Sequence, residues 1–161
     1  MKNCMRIFTI NWLLIIILAA LSGCSTTLLE GPKFKPANPP PAGKALVYIY
    51  RLNSTPYLLS PDLLINGKKI LELANRGYSY VYLKPGDHEI KANWSFASGR
   101  KDLQGKIKVE AGKTYFIRTH GHVYYDTITY SSSGYLGFVP EDRALGELNK
   151  CLYIKPGLVT D

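Results

Sequence analysis

Four groups of side chains in this 161-residue chain could carry chemistry. His120 and His122 alternate about Gly121. On a strand their imidazoles would share a face and could chelate a metal ion, with His88 a third ligand if the fold brings it close. No Cys, Asp or Glu at ligand spacing completes a known site, so solvated histidines are the competing reading. Ser131-Ser132-Ser133-Gly134 is a serine run, expected as a loop. It lacks the Gly-x-Ser-x-Gly elbow that exposes a nucleophile, and nothing places a base beside it. Cys151 falls near the end of an expected helix, where the negative end of the dipole would raise a thiol pKa rather than lower it. There are no paired carboxylates at strand ends and no glycine-rich phosphate loop. The expectation is a protein that is not an enzyme and uses no cofactor. An envelope metal-binding protein or hydrolase working through His120, His122 and His88 is the alternative.

Tyrosine is the fourth group. All 12 tyrosines lie beyond Lys44. Tyr48 and Tyr50 recur at period two on one expected strand, and Tyr78, Tyr80 and Tyr82 on another. Such rings either pair across a sheet as packing or stay exposed and grip a partner, since tyrosine offers much contact area at little entropic cost. Contiguous exposed rings would mark a binding face.

Cys24 is different in kind, because its surroundings point to covalent modification. Lys2 and Arg6 form a basic head, Trp12 to Leu21 is an unbroken apolar run, and Ser22-Gly23 is a small-residue exit. These are the parts of a secretory signal peptide. The run is about half of the roughly 20 residues a transmembrane helix needs, and Asn11 blocks its extension. Leu21-Ser22-Gly23-Cys24 resembles the lipobox of bacterial lipoproteins at all four positions. The resemblance implies a diacylglyceryl thioether on Cys24, cleavage between Gly23 and Cys24, and usually acylation of the freed amine. Two or more acyl chains make attachment to a bilayer stable. By the same resemblance Ser25, which is not Asp, directs the protein to the outer membrane of a Gram-negative envelope.

The cysteine count agrees with that reading. Of three cysteines, Cys4 leaves with the leader and Cys24 carries lipid. Cys151 is left as a lone buried hydrophobe or an intermolecular pairing site. The leader takes two of the 20 basic residues and none of the 12 acids, so a formal charge of +8 becomes +6. A basic exported domain could meet anionic lipid, polysaccharide, cell wall or another envelope protein. Export argues against nucleic acid.

Organisation follows in three parts: a cleaved signal peptide over 1–23, a lipidated Cys and proline-rich tether over 24–43, and a domain over 44–161. The tether holds five of the ten prolines. In extended form it would lift the domain up to about 50 Å from the bilayer. Ala45–Arg51 is apolar on both faces, as a central strand would be. Asn66-Gly67 between apolar runs is a hairpin signal. Tyr78–Leu83, His88–Trp94, Gln104–Val109, Thr114–Thr119 and Val123–Tyr130 read as further strands. Lys84-Pro85-Gly86-Asp87 and Glu110-Ala111-Gly112-Lys113 read as tight turns. Pro140 to about Lys150 carries a helical apolar stripe of Ala144, Leu145, Leu148 and Cys151. Seven or eight short strands with one covering helix predict a mainly β fold, an antiparallel β-sandwich or small barrel.

From Ala45 to about Arg118 the chain resembles a bacterial lipoprotein domain family of unknown function, number 2846. The matching stretches are ALVYIYR, the ING hairpin, YSYVYLKPGDHEI and VEAGKTYFIR. LKPGDHEI also looks like the Pro-Gly turn of PEGA-type surface β-domains. These motifs imply a fold and a location, with no catalytic residues to carry over. The leading expectation is a lipid-anchored, non-catalytic binding or assembly module of the envelope.

Overall fold

A computed structural model of the chain describes residues 29–125 and 130–157. Nine strands form two stacked sheets, with one helix near the C-terminal end of the described residues. The first sheet has the order β8-β7-β1-β4-β9 and the second β3-β2-β5-β6. The strands are β1 (Ala45–Arg51), β2 (Asp62–Ile65), β3 (Lys68–Glu72), β4 (Gly77–Leu83), β5 (Gly86–Asn93), β6 (Leu103–Val109), β7 (Thr114–Tyr125), β8 (Tyr130–Phe138) and β9 (Leu152–Tyr153). The helix α1 spans Glu141–Leu148. The sheets do not close into a barrel, so the sandwich is the correct half of the expectation.

Strand β1 is central, and all seven of its residues are buried. It pairs antiparallel with β4 and parallel with β7. Its odd-numbered residues Ala45, Val47 and Ile49 meet Leu63, Ile65, Ile90, Ile107 and Val109 of the second sheet in the inter-sheet core. Its even-numbered residues Leu46, Tyr48 and Tyr50 form a second core on the outer side of the first sheet. Layers on both faces explain a strand that is apolar throughout. The second sheet has water on its outer face: along β5 and β6, Ile90, Ala92, Ile107 and Val109 are buried while Lys106 and Lys108 are exposed. That is the alternation expected of a half-solvated antiparallel sheet.

The Asn66-Gly67 hairpin forms as expected, with both residues at positive φ (51° and 79°), as a type I′ turn requires. Glu110–Lys113 closes as a tight turn, with Lys113 N–H donating to Glu110 O (3.3 Å), but Gly86 and Asp87 already belong to β5, so Lys84-Pro85 is a bend rather than the expected four-residue turn. Lys84-Pro85 and the Glu110–Lys113 turn carry the chain from one sheet to the other, β4 to β5 and β6 to β7. A local turn signal specifies reversal of direction, and not which sheet receives the next strand.

Three further expectations are corrected. The strand expected over Val123–Tyr130 is instead the meeting of two longer strands, β7 and β8, on either side of residues 126–129, which lie outside the described residues. The serine run is not a loop: Ser131, Ser132 and Ser133 pair with Tyr124, Val123 and His122 in the β7–β8 ladder. Nine registered pairs along that ladder override the weak strand preference of Ser and Gly. Cys151 lies after the end of α1 rather than on it, although it is buried as expected.

The segment read as a tether is docked in part. Lys33 bridges Leu152. Phe34 and Ala37 pack on the outer core. From Pro32 to Asn38 the strap is tied down by Tyr153 N–H to Pro32 O (2.9 Å), Ala37 N–H to the Tyr48 hydroxyl (2.7 Å) and the Tyr82 hydroxyl to Asn38 O (2.9 Å).

Candidate functional site

The two flanks of the sandwich differ. On one, Leu136 of β8 lies over Gly105 of β6, and Leu103 of β6 over Gly134 of β8, so the sheets close on each other. On the other, the edges are β3 and β4. β9 covers only Gly77 and Tyr78 of β4. Beyond β9 the chain steps across the gap: Ile154 N–H donates to Tyr78 O (2.7 Å), and Gly157 N–H to Ile70 O (2.7 Å). Below that crossing the described residues leave the flank open, with a cleft of about 710 Å³. This size is typical of small-molecule sites.

Residues of both sheets build the cleft. Ile65, Ile70, Val81 and Leu83 form an apolar floor continuous with the inter-sheet core. Lys44, Lys68 and Lys84 line it together with Asn66 and His88. The three lysines belong to one end. Ala45 pairs with Leu83, which sets Lys44 beside Lys84, and Ile65 pairs with both Lys68 and Ile90, near where β5 leaves the Lys84 turn. Tyr153, Pro156 and Gly157 bound the opposite end.

His88, a candidate metal ligand, is instead a staple for this rim. Its Nδ1 pairs with Asn66 Nδ2 (2.9 Å) and its Nε2 with Lys84 O (2.8 Å). An amide nitrogen can only donate and a carbonyl can only accept, so the ring carries its proton on Nε2. Both nitrogens are thereby committed, and the staple joins the Asn66-Gly67 hairpin of one sheet to the turn leaving the other. His120 lies on β7 opposite Tyr135. His122 lies opposite Ser133, and its side chain is outside the described residues. The structure therefore does not bring His88 to that pair as a ligand. Among the described residues no group of three or more His, Cys, Asp or Glu is placed to hold a metal ion.

The five tyrosines divide. Tyr48 (3% exposed), Tyr50 (0%) and Tyr78 (2%) are core residues, so the five rings together form no open face. They pair across β1 and β4 as Tyr48 with Tyr80 and Tyr50 with Tyr78. Tyr48 stacks on Phe116 at 5.2 Å, and Phe34 of the strap sits edge-on to Tyr48 and Tyr78 at 5.9 and 5.3 Å. Packing offset and edge-on suits the ring quadrupole. Tyr80 and Tyr82 stay partly open beside the cleft. Burial pushes the phenols of Tyr48, Tyr78 and Tyr82 up; the Tyr48 and Tyr78 hydroxyls accept from the Ala37 and Lys35 N–H groups, and the Tyr82 hydroxyl donates to Asn38 O.

Helix α1 closes the rest of the tyrosine layer with Ala144 and Leu148. It is clamped by Glu147, whose carboxylate accepts from the Tyr50 hydroxyl (2.7 Å), Arg118 Nη1 (2.6 Å) and Arg143 Nε (2.9 Å). Cys151 is 1% exposed. Burial first, and then the negative charge of Glu147, push its thiol up to about 12. Such a thiol is a poor nucleophile, and burial rather than the expected helix dipole is the main reason. Cys24 and Gly23 lie outside the described residues.

One feature of the fold escaped the reading of the sequence. Arg51 is 1% exposed and points between the sheets. Its guanidinium donates to the carbonyls of Ser54 (2.9 Å), Pro56 (2.6 Å), Leu59 (2.9 Å) and Leu73 (3.5 Å), and to Ser54 Oγ (3.3 Å). The guanidinium carbons of Arg51 and Arg100 lie over the Trp94 ring, 4.9 and 5.0 Å from its centre. Arg100 reaches on to Thr55 O and Ser133 O. Its guanidinium occupies the space a side chain at Gly121 would fill. Burial, and then Arg100, lower the Arg51 pKa to about 10. The signal was present: strand alternation puts Arg51 on the face of Val47 and Ile49.

Fold and site together define a mixed β-sandwich domain with one open, lysine-rimmed flank and a strapped outer face. The chain belongs to the family described as a protein of unknown function (DUF2846), which it matches over residues 41–131. The match takes in β1 to β7 and the start of β8, and so the cleft's lysines and all four residues of its floor. An uncharacterized protein of Haemophilus influenzae is 36% identical over 104 residues. Those residues are 62% of this chain, and the match spans about 60% of that relative's length.

Proposed function

We propose that the protein is a lipid-anchored, non-catalytic binding module of the bacterial envelope, and that the open flank between β3 and β4 is where it binds. The flank cleft is the observation that carries the binding role. Its lining offers cations, tyrosines and apolar surface, a set suited to holding a ligand rather than to bond making. Anchoring rests on Leu21-Ser22-Gly23-Cys24 and the apolar run before it. Acyl chains on Cys24 hold the chain to the bilayer, and Ser25 directs it to the outer membrane. Docking of the strap from Pro32 shortens the tether. The eight residue steps from Cys24 to Pro32 reach at most about 29 Å, so the domain works close to the membrane.

Metabolic labelling with an alkyne fatty acid tests the anchor. Wild-type chain takes up label, and a Cys24→Ala chain that still carries it refutes the anchoring. A photo-crosslinking residue placed at Tyr80, on the cleft rim, tests the binding role in intact cells. It gives adducts that the same residue at Lys106, on the solvated face of the second sheet, does not. Equal yields at the two positions defeat the binding role.

A further inference from the structure

We infer that one end of the sandwich is a membrane-contacting surface, where Tyr57, Leu58 and Phe96 enter the interface of the bilayer that holds Cys24. The inference rests on the anchoring proposed above and gives the anchored domain its orientation. These large apolar side chains stand out at one end, Tyr57 at 58%, Leu58 at 79% and Phe96 at 102% exposure. Tyr57 and Leu58 belong to the β1–β2 loop, and Phe96 to a 3-10 turn over Phe96–Ser98 between β5 and β6. Asp62 pairs with Asn93, so the first loop enters β2 where the second leaves β5.

The two buried arginines fix both loops in this shape. Arg51 donates to Ser54 O, Pro56 O and Leu59 O, which pins the backbone on either side of Tyr57 and Leu58. Arg100, just beyond the 3-10 turn, donates to Thr55 O (2.5 Å) and so ties the second loop to the first. Gly99 N–H closes the turn onto Phe96 O (3.1 Å). The loop carbonyls are thus satisfied while the side chains stay outside. Apolar groups presented on a fixed loop cost little further ordering when a partner buries them. Exposed apolar side chains of this size mark an interaction site, and aromatic and leucine side chains settle at the boundary between headgroups and acyl chains.

The path of the chain says which partner. Lys33 bridges Leu152, Leu152 pairs with Gly77, and the neighbouring Tyr78 pairs with Tyr50 near the end of β1. The strap therefore begins at the loop end of the sandwich. It runs from there to Asn38 beside Tyr82, toward the start of β1. The tether from Cys24 to Pro32 reaches at most about 29 Å. With the loop end on the bilayer this tether has slack. With the opposite end there, the strap would begin farther out by the seven residues of β1, about 23 Å. The tether would then be nearly taut, at a cost in chain entropy.

The test uses the full-length chain, purified from membranes and reconstituted into vesicles of phosphatidylethanolamine and phosphatidylglycerol. A cysteine introduced as Leu58→Cys or Phe96→Cys carries the fluorophore NBD. Asp87→Cys, at the exposed start of β5 on the opposite end, is the control. Cys151 is 1% exposed and stays unlabelled. Lipids with a doxyl group high on the acyl chain should quench NBD at positions 58 and 96 several-fold more than at position 87. Equal quenching at all positions overturns the inference, as does no quenching at 58 and 96 in a chain that floats with the vesicles. Either result leaves the anchoring standing. A chain that does not float with the vesicles defeats both. Blue-shifted emission at 58 or 96 without quenching marks a second copy or another protein on this end, and overturns the inference. Adding Tyr57→Asp and Phe96→Asp to the chain labelled at position 58 should bring quenching down to the control, with the urea midpoint unchanged because both side chains are exposed. Quenching that stays high there overturns the role of the apolar tips.

Discussion

Removing the Glu147 carboxylate should loosen the cap over the tyrosine layer and make the domain less stable by an amount that depends on pH. Three donors converge on that carboxylate. Tyr50 is wholly buried, and the Arg118 and Glu147 side chains are 16% and 13% exposed. Hydrogen bonds to a charged group contribute about 1.5 to 3 kcal/mol each, and the low end suits a carboxylate that still touches water. Arg143 is 60% exposed, and an exposed helical pair adds only about 0.3 kcal/mol. Glu147→Ala should therefore cost about 3 kcal/mol, or about 10 °C in Tm for a domain of this size. Glu147→Gln keeps one acceptor but turns an amide toward Arg118, and should cost about 2 kcal/mol. Burial alone would raise the carboxyl pKa, but Tyr50, Arg143 and Arg118 outweigh it and hold the group below its ordinary value of 4.5. The unfolded chain thus binds this proton first as pH falls. The stabilisation is complete above the ordinary pKa and is lost as pH drops through the folded one. Urea unfolding of the full-length chain in mild detergent, at pH 7 and again near pH 3, should show the gap between wild type and Glu147→Gln narrowing in acid. A gap under about 0.5 kcal/mol at pH 7, or one that widens in acid, refutes the clamp.

Two further outcomes follow from buried groups. Arg51→Lys replaces a planar fork that reaches five acceptors with one ammonium, and should cost about 2 to 3 kcal/mol by stranding buried carbonyls. Chymotrypsin should then cut faster at Tyr57 and Leu58, which are 58% and 79% exposed in the loop that Arg51 holds, and cutting at the wild-type rate counts against the role given to Arg51. Cys151 should resist iodoacetamide at pH 8 in the folded protein and react once in urea, because its pKa is about 12 and it is 1% exposed. Fast native labelling contradicts its burial, and a second reactive thiol after unfolding contradicts a thioether at Cys24.

The sequence alone determined what depends on near neighbours. Period-two alternation in β5 and β6 settled which side chains face the core, because successive residues of a strand point to opposite faces. Asn66-Gly67 settled a hairpin, because few residues accept positive φ. The apolar stripe of Ala144 and Leu148 settled a covering helix. Long-range pairing decided the rest. Ser131–Ser133 became strand because β7 was there to pair with. Tyr48, Tyr50 and Tyr78 became core rather than binding face because the Pro32–Asn38 strap and α1 fold over them, and nothing local to those tyrosines encodes a cover that comes from 11 to 97 residues away. The cleft is the clearest case. It exists because β9 is two residues long and leaves the rest of the β4 edge open, and its lysines come from three segments separated along the chain. A site made from the ends of different strands has no signature in any one of them, since proximity in space is set by the order of strands in the sheets and not by their spacing in sequence.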